Sequence, residues 1–168
     1  MKNRRFGSLP PRYSLMLNPY PEERLWRCPC CERKMGQRKL PLLIHVDPQC
    51  LMALNYTCRY CAPCDLLVAH KFELEHLLYQ YFSQTQPDAV GNSYLILGTV
   101  EKKVWREGYK DPQKLLDFRS ATSDFKTYFA DLRLTCGGYY HVDQEPPIME
   151  PPPSLEWVKA TPSPPLIA

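Results

Sequence analysis

Eight cysteines occur in this 168-residue chain, and seven of them fall between Cys28 and Cys64. Cys28-Pro29-Cys30-Cys31 opens that stretch, and Cys58-Arg59-Tyr60-Cys61-Ala62-Pro63-Cys64 closes it. A Cys-x-x-Cys turn presents two sulfurs at once, and two such turns complete a tetrahedron around one ion. Zinc takes four thiolates in that way, with Zn–S near ~2.3 Å. Cys28 and Cys31 form the first pair. The second pair is Cys61 with Cys64, or Cys58 with Cys61. The expected ligand set is Cys28, Cys31, Cys61 and Cys64 around one structural Zn²⁺, with Cys58 as the rival. Cys30, Cys50 and Cys136 then read as ordinary free cysteines, small and apolar.

Two other chemistries compete for these residues. Tyr60-Cys61-Ala62-Pro63-Cys64 resembles the Cys-x-Pro-Cys of thioredoxin-like oxidoreductases, which would make Cys61 a nucleophile at a helix N-terminus. Cys28, Cys31 and Cys58 would then be idle or crowd the site. The second alternative is nucleic-acid binding. Arg27, Arg33, Lys34, Arg38, Lys39 and Arg59 could meet phosphates while Trp26, Tyr56 and Tyr60 stack on bases. The plainer reading packs those aromatics around the metal and uses the cations to offset its thiolates. A zinc hydrolase is disfavoured. His70 and His76 sit about 240° apart on a helix at ~100° per residue, and four thiolates leave no open position.

The elements that must position the cysteines follow from apolar patterning. Leu40–Val46 and Leu51–Cys58 read as a β-hairpin turning near Asp47–Gln49, with Leu54, Tyr56 and Cys58 on one face. Residues 65–82 read as the clearest helix, capped by Asp65 and carrying Leu67, Leu74, Leu78 and Tyr81 at helical spacing. Tyr94–Trp105 reads as a further strand. A helix is expected from Asp111-Pro112, another over Asp124–Phe129, and a last strand over Leu132–Val142. Residues 1–24, with Pro10, Pro11, Pro19 and Pro21, read as an extended arm. Eight of the eighteen prolines lie in the last 25 residues, so residues 144–168 read as a disordered tail interrupted by Leu155, Trp157 and Val158. The divisions expected are an arm at 1–24, a zinc-binding hairpin-helix unit at 25–83, a small α+β part at 92–143 and the tail.

No stretch has the ~20 apolar residues of a membrane span, and no apolar run follows the basic start. Clustered cysteines without a secretory signal point to a reducing, cytoplasmic setting. The net charge of +3 is uneven. Residues 1–40 hold ten Lys/Arg against three Glu, whereas the remainder holds eleven against fifteen acids.

Trp26-Arg27-Cys28-Pro29-Cys30-Cys31, a hairpin, and then Cys61-Ala62-Pro63-Cys64-Asp65 resemble the zinc-ribbon and treble-clef zinc-finger proteins. Gln37–Pro48 is similar to a run found in bacterial zinc-ribbon proteins that have no assigned activity. The resemblance spans residues 25–82. It implies an α+β fold in which a β-hairpin and a long helix hold the metal, with extra strands and short helices. The resemblance carries no activity with it; the role expected for a closed structural site is a non-enzymatic binding or adaptor one, with a protein partner first and nucleic acid second.

Overall fold

The structure is a computed structural model that describes residues 5–110, 118–129, 132, 134 and 139–149, with residues 108–110 and 118 described by backbone alone. It is mostly β. Seven strands form one curled mixed sheet, a half-barrel, in place of the long-helix α+β fold the sequence predicts. The strands are β1 (Ser14–Asn18), β2 (Gly36–Val46), β3 (Cys50–Cys61), β4 (Leu66–His70), β5 (Tyr94–Val100), β6 (Thr122–Asp124) and β7 (Thr127–Phe129). Their spatial order is β6-β5-β2-β3-β4-β1-β7. Helix α1 (Lys71–Thr85) follows β4, and α2 (Lys102–Lys110) follows β5.

The β2–β3 hairpin is the longest pairing, running antiparallel from Gly36↔Tyr60 to Val46↔Cys50. β1 lies parallel to β4 on one side and to β7 on the other. β5 joins the outer edge of β2 through a register shift between Leu43 and Ile44. Gly98 sits at that shift, where a Cβ would stand 2.1 Å from the Ser123 carbonyl oxygen on β6. Only a residue without a side chain permits so close an approach.

Alternation along the strands divides the core between the two faces. Leu15, Leu42, Ile44, Tyr56, Cys58, Leu67 and Ala69 meet Leu74, Leu78 and Phe82 of α1 on one face. Met16, Cys61, Leu66 and Val68 point the other way, toward the cysteine turns. Leu43, Val100 and Ala121 form a third cluster, against which Val104 and Trp105 of α2 pack.

Several expectations are corrected here. Leu66–His70 is a strand, so α1 starts five residues later than its apolar run suggests. All five residues are buried, and a short continuous apolar run fits a strand covered on both faces as well as a helix. The cap is accordingly His70, whose Nδ1 accepts the Glu73 N–H at 3.3 Å, and not Asp65. Tyr81, predicted at the helical spacing of the apolar face, stands exposed, as does Phe72. The Tyr94 strand ends at Val100, because Lys102-Lys103-Val104-Trp105 turns helical with Val104 and Trp105 facing the core. Asp124–Phe129 is no helix but the end of β6 and all of β7. The helix start at Asp111-Pro112, Cys136, Trp157 and residues 133 and 135–138 of the Leu132–Val142 strand lie outside the described residues.

Leu42 sits fully buried in the middle of the sheet, whereas Leu95 on the adjoining strand is 51 % exposed. Leu42→Ala is expected to lower unfolding free energy by about 2–5 kcal/mol through lost burial and a cavity. Leu95→Ala should stay within about 0.5 kcal/mol. Urea unfolding of both variants reads the difference, and equal losses would contradict this packing.

Candidate metal centre

Two turns bring four sulfurs together. The first lies between the paired residues Arg27 and Lys34. The Cys28 N–H donates to the Arg33 carbonyl at 2.8 Å, and the Glu32 N–H donates to the Cys28 carbonyl at 2.8 Å. Glu32 takes a left-handed backbone (φ 63°) to close this turn. The second turn reverses β3 into β4. Cys61 is the last residue of β3 and pairs with Leu66, leaving Ala62 to Asp65 as the connection. The Asp65 N–H donates to the Ala62 carbonyl at 3.2 Å, again with a left-handed residue (Asp65, φ 50°) completing the bend.

The Sγ atoms of Cys28, Cys31, Cys61 and Cys64 all lie within 4.8 Å of one another and could hold a metal ion. Cys28 and Cys64 are 3.8 Å apart, and Cys31 and Cys61 are 3.5 Å apart. A tetrahedron with Zn–S near ~2.3 Å has edges of about 3.8 Å. The backbone also favours thiolates here. The Cys30 N–H points at Cys28 Sγ at 3.4 Å, and backbone hydrogen bonds from Arg33 and Cys64 reach Cys31 and Cys61.

Protons alone serve this cluster poorly. A backbone hydrogen bond from Arg33, with further bonds from the neighbouring thiols, brings Cys31 down to about 7. Cys64 is pushed up to about 12 by its hydrogen bond to Cys31 and by burial, and burial raises Cys61. A cation held among the four sulfurs would favour their thiolate forms.

The rival ligand is placed elsewhere. Cys58 is buried on the α1 face of the sheet, and burial pushes its thiol up to about 12. It cannot join Cys61, because residues three apart on a strand point to opposite faces. That parity was readable in the sequence once the strand was extended to Cys61. Cys50 is half-buried at the start of β3, and Cys30 is exposed beside the cluster. Cys64 leads into the strand β4, so no helix N-terminus faces the Cys61-Ala62-Pro63-Cys64 turn.

Around the sulfurs lies an apolar shell of Met16, Tyr20, Met35, Leu66, Val68 and Leu132. Tyr20 fastens the late chain over it. Its hydroxyl donates to the Met149 carbonyl at 3.0 Å and accepts the Leu134 N–H at 3.2 Å, while the Met149 N–H donates to the Leu134 carbonyl. No local signal in the sequence could have tied residues 132–149 to this site. The predicted aromatic packing around the metal is not formed by Tyr56, which lies under α1 with its hydroxyl donating to Glu73. Trp26 stands exposed beneath the Arg59 guanidinium at 4.2 Å.

No protein-family profile, curated protein or solved structure matches this chain. The four-cysteine cluster therefore fits a zinc-ribbon-like site by its own geometry alone.

Cys30 and Cys58 give a test of the two faces. At about pH 8, iodoacetamide should modify Cys30 in the folded protein and spare Cys58, because only an accessible thiolate attacks. Burial and the Cys28 charge raise the Cys30 thiol above its ordinary 9.0, so its rate should keep climbing past that pH. Peptide mass mapping reads both outcomes, and rapid labelling of Cys58 would contradict its placement.

Proposed function

We propose that Cys28, Cys31, Cys61 and Cys64 hold one zinc ion as a closed structural site, and that the protein is a non-enzymatic binding module built around it. The observation that carries this reading is the convergence of four sulfurs from two turns separated by the β2–β3 hairpin. An all-sulfur donor set suits zinc, and four protein ligands leave no position for a substrate. The ion would tie the β3–β4 reversal to the segment that precedes β2, in a region whose apolar shell is small. Such sites contribute folding energy directly. The seven cysteines among the described residues are free, which suits a reducing, cytoplasmic setting. The partner in this reading is another protein.

A thioredoxin-like reading draws less support. Its nucleophile would follow a strand and precede a strand, and its sulfur lies 3.5 Å from Cys31. A nucleic-acid reading draws on the exposed Trp26 with Arg59, whereas Tyr56 is buried away from solvent.

Protein purified without added metal should carry one zinc per chain by elemental analysis. Cys28→Ala or Cys61→Ala should abolish retention, and Cys58→Ala should keep it. Replacement by Co²⁺ should give the absorption of a tetrahedral thiolate site. Metal-free protein that cycles Cys61 and Cys64 between dithiol and disulfide, and reduces insulin, would overturn the proposal.

A further inference from the structure

A second site lies away from the sulfurs. A cavity of about 420 Å³ opens between the chain entering β1, the first half of β2, the end of β5 and the start of α2. Five cationic side chains line it: Arg12, Arg38, Lys39, Lys102 and Lys103. Glu101 is the one carboxylate among its described lining residues. None of the five cations has an ion-pair partner among the described residues, although three Lys/Arg–carboxylate pairs form elsewhere among them.

The arginines converge. Arg12 Nη2 donates to the Tyr13 hydroxyl at 3.0 Å, and Arg38 Nη1 donates to the same oxygen at 2.9 Å. A neutral phenol brings two guanidinium groups together without cancelling either charge. Arg38 is held in place by stacking on Tyr60, 4.1 Å from the ring centre. Tyr13 is itself fixed in the left-handed region (φ 62°), at a cost for a residue with a side chain. The Asp65 carboxylate meets that cost in part by accepting the Tyr13 N–H at 3.2 Å. On the opposite wall, the first turn of α2 carries Lys102 and Lys103 and no acidic residue. Positive charge there adds to the positive end of the helix, and a bound anion would relieve it.

Geometry and charge also set the size of the guest. The volume falls within the ~300–1,000 Å³ of small-molecule sites. Leu40, Val100 and Tyr13 add apolar wall beside the cations, so an organic body fits next to an anionic group. We propose that this groove binds a phosphate-bearing small molecule of nucleotide size, its phosphates held by Arg12, Arg38, Lys39, Lys102 and Lys103. Arginine forks and lysine point charges are the usual means of holding phosphate oxygens.

Calorimetry on the full-length, metal-loaded protein tests this with four probes: pyrophosphate, ADP, adenosine and a short oligothymidylate. Pyrophosphate and ADP should bind saturably and compete, while adenosine should not bind. The exposed triple variant Lys39→Gln, Lys102→Gln, Lys103→Gln should weaken ADP at least about tenfold, the loss of roughly one charge-assisted hydrogen bond. The double variant Arg27→Gln, Lys34→Gln at the cysteine turn should bind ADP as the parent does. Equal zinc content and circular dichroism across the variants separate a failure of the groove from a failure of the metal site. Absence of saturable pyrophosphate and ADP binding overturns the proposal, as does adenosine binding as well as ADP. Equal weakening by both variants overturns it too. Tighter, lysine-dependent binding of the oligothymidylate overturns it in favour of nucleic acid.

Discussion

The reversal at residues 62–65 ties three parts of this molecule to one bend. Its backbone places Cys61 and Cys64 beside Cys28 and Cys31. Its last residue, Asp65, then ties in the N-terminal strand. The Asp65 carbonyl accepts the Ser14 N–H at 2.9 Å, and its carboxylate accepts the Tyr13 N–H, the Tyr60 hydroxyl and the Lys126 ammonium. Burial would raise that carboxyl, but these donors outweigh it and hold it below the ordinary range. The Lys126 N–H also donates to the Tyr13 carbonyl at 2.7 Å, just before β7. One four-residue bend therefore joins the sulfur cluster, β1 and the last edge strand.

The two sheet faces solve different problems. On the α1 face, burial of aliphatic residues dominates, and one buried charge there is paired. Lys71 is almost wholly buried, with its ammonium 2.7 Å from Glu75, which also accepts the Tyr94 hydroxyl. A charge so placed is tolerable only with such partners. On the opposite face, the cysteine turns have a smaller apolar shell and depend on residues far along the chain to cover them. A cation held among the sulfurs, as proposed above, would compensate for that smaller core.

The centre of the hairpin was legible in the sequence because apolar runs flank the Asp47-Pro48 turn, whereas its far ends, Gly36–Lys39 and Arg59–Cys61, were not. The four cysteines were legible because Cys-x-x-Cys spacing survives whatever surrounds it. Leu66–His70 was not, since an apolar run buried on both faces carries no periodicity to separate strand from helix. The Lys102–Lys110 helix was hidden behind a strand-like start, and only the tertiary position of Val104 and Trp105 decides it. Thr122–Asp124 and Thr127–Phe129 are too short to announce themselves and exist because β5 and β1 offer edges to pair with. The choice between Cys58 and Cys64 turned on strand parity, which was available in principle but concealed by ending the strand too soon.

The inner position of β1 bears on how the chain assembles during synthesis. Ser14–Asn18 emerges early, yet its parallel neighbours are β4 and β7, the latter more than a hundred residues later. The β2–β3 hairpin and both cysteine turns are complete by residue 65, within reach of local pairing and of a metal. Long-range parallel pairing carries the larger loop-closure cost. On that ordering the hairpin would form first, and β1 would gain its second neighbour only once β7 is made.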